Sequence, residues 1–283
     1  MKPAAFRYLR PETLDEALSL LAEHGDDAKI LAGGQSLVPM MNFRLARPAV
    51  IIDIGDLPGL NEVAQTGDFV TIGAKVRHHE LERPSFEGPL GQLFSDAAHH
   101  VGHLPIRMRG TLGGSIAHAD PAAEWCLLAT ALDADVVVRS VQGDRTIAAT
   151  NLFEMFLTTA IADDELLTEV RVPWLGDDWI TGFAEFSRRA GDFAVVAIAS
   201  AVRVEDERVA EVRLAAAGVA GTPVRLYGAE DELVGTVFDG DSISAASHIA
   251  AAEVKPGSDI HGSSQYRRDL VQALTRRALG QRL

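Results

Sequence analysis

The apolar positions of this chain change rhythm along its length. AFRYL (residues 5–9) reads as a short strand. From Thr13 the period becomes helical: Leu14, Ala17, Leu18 and Leu21 share one face, a T-x-x-E capping box spans Thr13 to Glu16, and Gly25 stops the turn. AKILA (28–32) and AVIIDI (49–54) are continuous apolar runs of strand length, consistent with buried, parallel strands. They are joined by LAGGQSLVPMMNFRLARP (31–48), where Gly33-Gly34 follows the apolar run, so the opening unit reads β-α-β-loop-β.

Alternation takes over next. LNEVAQ and FVTIGA flank Thr66-Gly67-Asp68, a hairpin signal. GQLFSDAAHHVGH (91–103) is helical in pattern and leads into a second diglycine stretch, IRMRGTLGGSIAHADPAAEWC (106–126). AAEWCLLATALDA predicts a helix, DVVVRS and RTIAAT a hairpin turned at Gly143-Asp144, and ELLTEVRVPW a strand closed by Pro173. WLGDDWITG (174–182) has the composition of a junction. After it, FAEFSRR, AVVAIASAVRV and RVAEVRLAAAGV predict an antiparallel meander, and helices are expected over 244–253 and 264–279.

Composition narrows the function classes. The chain has 283 residues, 47% of them apolar, which suits two or three compact units with real cores. Its net charge of −14 argues against nucleic acid and anionic membranes as partners. Cys126 is the one cysteine, so neither an internal disulfide framework nor an iron–sulfur cluster fits this chain. The N-terminus lacks a signal-peptide pattern, and no uncharged apolar stretch reaches the ~18 residues of a membrane span, so a cytoplasmic location is expected.

Two diglycines set the candidate chemistry. Glycine admits positive φ and lets a ligand approach bare backbone, and successive turn amides form a concavity suited to phosphate oxygens. Ser36 and Ser115 follow the pairs closely and add hydroxyls. Tight turns with no ligand explain the same pairs equally well. No G-x-G-x-x-G or G-x-x-x-x-G-K-[ST] is present, which excludes a Rossmann or P-loop nucleotide site. His78-His79 and His99, His100 and His103 lack the ligand spacing of a metal centre, and no metal is expected. Cys126 reads as a buried small hydrophobe, and Trp174 and Trp179 as packing between domains.

AGGQSLVPMM and RGTLGGSIAHADPAAEW, at this spacing, resemble the FAD-binding medium subunit of the molybdenum hydroxylases, the carbon monoxide dehydrogenase and xanthine dehydrogenase family. RRAGDFAVVAIASAV (188–202) is similar to that family's third segment, and SSQYRRDLVQALTRRAL (263–279) to its closing helix. The resemblance implies an α+β chain. Residues 1–176 would form a two-lobed FAD-binding fold of the vanillyl-alcohol-oxidase (PCMH) type, with lobes at about 1–56 and 57–176. Residues 177–283 would form a C-terminal domain of antiparallel sheet and helices. It also implies a non-covalent FAD site. The first phosphate loop falls on Ala32, Gly33, Gly34, Gln35 and Ser36, and the second on Thr111, Leu112, Gly113, Gly114 and Ser115. His118 lies beside the ribityl chain, Glu124 is the carboxylate beyond, and Val101 and Leu167 are apolar positions on the flavin. Asp192 and Phe193 complete the set. Ser115 stands where many members have Asn, and Phe193 where some have Tyr.

The function this resemblance implies is electron transfer. A large partner would oxidise substrate at molybdopterin and a small partner would carry two [2Fe–2S] clusters, in a dimer of heterotrimers. This chain would take electrons onto FAD and pass them to an external acceptor, with no catalytic acid, base or nucleophile of its own. Two alternatives stay open: a self-sufficient flavin reductase of the same superfold, and an assembly subunit without flavin. The substrate and final acceptor are not encoded here; carbon monoxide, aldehydes, N-heterocycles and aromatic thioesters remain candidates.

Overall fold

The computed structural model describes residues 2–281. Its first unit packs β1 (Arg7–Leu9), α1 (Leu14–His24), β2 (Ala28–Leu31), α2 (Leu37–Asn42) and β3 (Val50–Asp53) into a parallel sheet of order β1-β3-β2. β3 is central and buried because Val50, Ile51 and Ile52 carry no polar group into the core. Thr13 caps α1 by accepting from the Glu16 amide at 3.2 Å, while the Glu16 carboxylate closes on the Glu12 amide at 2.8 Å instead of on Thr13. The expected loop between β2 and β3 contains a helix, α2. Pro39 stands in its first turn, where its missing N–H costs nothing.

A five-stranded antiparallel sheet follows, of order β4-β5-β10-β6-β7: β4 (Val63–Thr66), β5 (Phe69–Gly73), β6 (Asp135–Ser140), β7 (Gly143–Ala148) and β10 (Leu166–Pro173). Helices α3 (Gly88–Ala98), α4 (Leu104–Arg107), α5 (Leu112–His118), α6 (Glu124–Ala131) and α7 (Ala149–Leu152), with the small pair β8 (Phe153–Met155) and β9 (Thr158–Thr159), make up the rest. The β6–β7 turn falls at Val141-Gln142 rather than at Gly143-Asp144, because Ser140 pairs directly with Gly143. α3 stops at Ala98, short of the expected 103, so His99 to His103 lie in the turns that follow. The second diglycine lies inside a helix. Gly113 and Gly114 are in the first turn of α5, capped by Thr111.

The last sheet is a meander, β11 (Trp179–Phe186), β12 (Val196–Glu205), β13 (Arg208–Ala217) and the short β14 (Val224–Arg225). It is backed by α8 (Tyr227–Leu233), α9 (Gly240–Glu253) and α10 (Ser264–Gly280). Over residues 196–202 of β12 and 214–217 of β13 both faces are buried, which explains the near-continuous apolar runs there. One face, with Phe183, Ala197, Ala199, Ala201, Ala215 and Ala217, joins the core around α3 and α6. The other, with Val196, Ile198, Val202 and Leu214, packs under α9 and α10. Alanine on the first face lets whole helices approach the sheet. The two halves therefore share one continuous apolar core.

Gly182 records the tightest of these contacts: a Cβ there would stand 1.9 Å from the Ala278 carbonyl oxygen of α10. Gly182→Ala is expected to destabilise the chain by about 2–3 kcal/mol through overpacking. A denaturant midpoint equal to wild type would show that α10 moves away freely.

Candidate functional site

The glycines are where backbones cross. A Cβ on Gly33 would stand 2.4 Å from the Arg109 carbonyl oxygen and 2.7 Å from the Gly110 Cα, so the first diglycine loop lies directly on the segment leading into the second. A Cβ on Gly113 would meet the Ala74 Cβ at 2.5 Å and its Cα at 2.7 Å, which sets α5 against the chain beyond β5. Positive φ, expected at both Gly34 and Gly114, occurs at Gly34 alone, with φ +70°. Gly114 is helical, and its tight neighbour is the capping hydroxyl of Thr111. Three of the four glycines thus serve close approach within the protein, and one serves backbone conformation.

Between these segments lies a cavity of about 580 Å³, within the range of cofactor pockets. Ala32, Gly33, Gly34, Gln35 and Ser36 form one wall, and Thr111, Gly113, Gly114, Ser115 and His118 a second. Val101, Glu124, Leu167, Asp192 and Phe193 also line it. Leu112 is the exception, since its side chain turns into the core. Sequence reasoning missed Ala74, His78, Ile106, Leu157 and Ile161. His78 was legible only as half of a histidine doublet. Leu157 and Ile161 flank β9, with no local signal of a site.

The two walls differ in what they offer a ligand. Among the described residues, nothing accepts from the Gly34, Gln35 and Ser36 amides, and the Gln35 side chain folds back to the Gly33 carbonyl at 3.0 Å. Three successive free amides, one of them at positive φ, are the kind of backbone that can form an anion-binding concavity. On the second wall the amides are already used: Leu112 donates to Val76, Gly113 to Ala74, Gly114 to the Thr111 hydroxyl and Ser115 to the Thr111 carbonyl. That wall presents side chains instead, the Ser115 hydroxyl and the His118 ring. The lining includes only one Lys and no Arg, so a bound anion would be held by amide dipoles.

Buried charge is managed by neutralisation. His78 accepts from the Trp125 indole at 2.9 Å, and burial beside Arg77 and Arg107 lowers its pKa to about 3, so the ring is neutral. Burial also lowers the His118 pKa. Glu124 goes the other way. Burial, reinforced by the nearby Glu185 and Asp120 carboxylates, raises it to about 8. Glu185 is itself buried, with one carboxylate oxygen unpartnered and the other 3.7 Å from His100, which leans on Phe183. Cys126 is fully buried and its thiol pKa is pushed well up, so it is no nucleophile.

Fold and site together define a two-lobed cofactor-binding subunit with a fused C-terminal domain, and the relatives agree. A family model described as the FAD binding domain in molybdopterin dehydrogenase matches residues 4–175, and one described as the CO dehydrogenase flavoprotein C-terminal domain matches 181–281. The chain is 42% identical over 279 residues to the nicotine 6-hydroxylase medium subunit of Paenarthrobacter nicotinovorans, covering 99% of this chain and 98% of that one. The structure of carbon monoxide dehydrogenase from Hydrogenophaga pseudoflava superimposes with a TM-score of 0.95 at 34% identity, over 99% of this chain and 98% of that chain. Quinoline 2-oxidoreductase from Pseudomonas putida 86 gives 0.91 at 35%, with the same coverage. The chain belongs to the family of FAD-binding medium subunits of the molybdenum hydroxylases. It is an oxidoreductase subunit with an FAD-binding domain, and electron transfer is the role of its family.

Glu124 yields a pH prediction. Below the ordinary carboxyl range it is neutral in both folded and unfolded chains. As pH rises towards 8 the unfolded chain ionises first, so this group's contribution to stability is lost over that window. Denaturant midpoints of the flavin-free protein should therefore fall more steeply between pH 5 and roughly 8 in wild type than in Glu124→Gln, which cannot ionise. Parallel profiles would mean that Glu124 holds no buried proton.

Proposed function

We propose that the cavity between the two diglycine segments holds one FAD per chain without a covalent link. The observation that carries this reading is the set of free amides at Gly34, Gln35 and Ser36, which share one cavity with apolar side chains of Val101, Leu157, Ile161, Leu167 and Phe193. The pyrophosphate suits those amides and the Ser36 hydroxyl. The Ser115 hydroxyl and the neutral His118 ring suit the ribityl chain, and Val101, Leu167 and Phe193 supply apolar surface for the ring system. Glu124, kept neutral by burial, meets an anionic cofactor as a hydrogen-bond donor rather than as a like charge. FAD supplies both one- and two-electron chemistry, and the protein supplies position and electrostatics.

On this reading the electrons come from the [2Fe–2S] clusters of a small partner and leave to an external acceptor. Substrate is oxidised on a large molybdopterin-binding partner, in a cytoplasmic dimer of heterotrimers. The support is indirect: one buried cysteine cannot ligate a cluster, and relatives are named as subunits of dehydrogenase complexes. The division at 176/177 is part of the same proposal, with residues 1–176 as the flavin unit and 177–283 as the C-terminal domain. No helix among the described residues is long and apolar enough to cross a membrane.

Gly34→Val places a branched side chain at positive φ, 3.0 Å from Leu31 and 3.3 Å from Val38, and crowds the free amides. The variant should fold yet purify with little flavin, while acid precipitation of wild type should release all the yellow colour. Full occupancy in Gly34→Val would displace the pyrophosphate from this loop.

Partner dependence separates relay from independent enzyme. The lone subunit should bind FAD and bleach with dithionite, yet stay oxidised with aldehydes, N-heterocycles or carbon monoxide. Co-expressed with its partners, the same flavin should bleach with the complex's own substrate. Bleaching of the lone subunit by such a substrate would refute the relay and favour a self-sufficient reductase.

A further inference from the structure

Phe193 and Asp192 reach the cavity from an unusual direction. They lie on the excursion 187–194 between β11 and β12, in the C-terminal half of the chain, while most of the lining comes from the first half. Eight residues of loop, with Phe193 67% exposed, need something to hold them on that wall. The loop makes few bonds of its own: the Asp192 amide donates to Arg189 at 3.0 Å, and Ser187 caps the same carbonyl. Its tip is wedged, because a Cβ on Gly191 would stand 2.4 Å from the His103 ring.

The base of the loop is held from α10. The Val195 amide donates to the Phe186 carbonyl at 2.8 Å, closing the two stalks on each other. Arg267, in the first turn of α10 and buried, donates through one guanidinium nitrogen to the Val195 carbonyl at 2.6 Å and the Gly218 carbonyl at 2.7 Å. Its other terminal nitrogen pairs with Asp259 at 2.7 Å, and this guanidinium holds the Asp259 carboxyl below its usual range. Tyr266, one residue earlier, packs edge-on against Phe186, the other stalk. Gly218 links the clamp to the opposite wall. Its amide donates to the Pro121 carbonyl at 3.0 Å, in the segment between His118 and Glu124. A Cβ at Gly218 would strike the Val195 carbonyl oxygen at 2.5 Å, so the two carbonyls converge on one guanidinium.

A planar fork can bridge two carbonyls and a carboxylate at once, whereas an ammonium cannot span all three. From this geometry we propose that Arg267 is a positioning residue: with Tyr266 it clamps both stalks of the 187–194 loop and so fixes Phe193 against the cofactor cavity. The step from loop to flavin rests on the reading of Phe193 given above, and the test keeps the two apart.

Arg188 and Arg189 are exposed on the loop, so trypsin reports its opening without any flavin. In the flavin-free full chain, Arg267→Lys should raise the rate of cleavage after these residues by about tenfold, as the open population grows. Tyr266→Ala, at a half-exposed side chain, should act in the same direction and carries the test if the lysine variant does not fold. In the loaded subunit, Phe193→Ala and Arg267→Lys should each speed FAD release, and the double variant should release it no faster than the faster single one. Unchanged tryptic cleavage in both Arg267→Lys and Tyr266→Ala overturns the clamp. Additive effects on release would mean that Arg267 acts elsewhere and overturn its role toward Phe193. If Phe193→Ala alone leaves FAD release unchanged, the placement of Phe193 on the flavin fails, and the flavin-free cleavage rate still decides the clamp.

Discussion

At Gly33 the first lobe passes so close to the Arg109-Gly110 peptide that one methyl group would overlap it. This contact brings the loop with free amides to within a cavity's width of α5. Gly113 makes the second approach, against Ala74, and fixes the depth of α5 in the same lobe. Arg77 donates to the Arg109 carbonyl and pairs with Thr111 across a single bridge, so the crossing is also tied by hydrogen bonds. Without these two approaches the lining residues would still exist, on walls too far apart to share a ligand.

The C-terminal sheet applies the same economy on a larger scale. Its alanine face admits α3 and α6, and Gly182 admits α10. A sheet buried on both sides is stiff, because any displacement opens apolar surface on one face or the other. That stiffness gives α10 a fixed base from which its first turn reaches the loop carrying Phe193. The closing helix thus holds the base of the loop whose tip lines a distant cavity.

Electrostatics follows from how few cations line the cavity. A chain with 14 surplus negative charges would repel a dinucleotide if it met it with ionised carboxylates. The first wall offers amide dipoles and Glu124 holds its proton, while Asp120, Asp163, Glu165 and Asp192 also border the cavity. His78, held neutral beside the indole of Trp125, adds no positive charge to the lining.

Period and composition were enough to place α1, the parallel strands β2 and β3, the β4–β5 hairpin, the meander and α10, since each depends on local apolar spacing that burial then rewards. The two diglycines were legible as a candidate site, and they line one cavity; the family resemblance they carried was legible too. Their reason was not legible. Whether a glycine serves a ligand, a turn or a passing backbone depends on what lies opposite, and Arg109 and Ala74 are far from Gly33 and Gly113 in sequence. The same holds for the helix at Gly113-Gly114, which exists because Thr111 caps it, and for α2, whose short run hid in a loop-like composition. Glu124 was picked out as a site carboxylate, but its protonation depends on burial beside Glu185, which the sequence does not show. Nothing in the sequence singled out Arg267, whose partners Val195 and Gly218 lie far from it along the chain. Local pattern fixes what each segment is; contacts between distant segments decide what its polar groups are for.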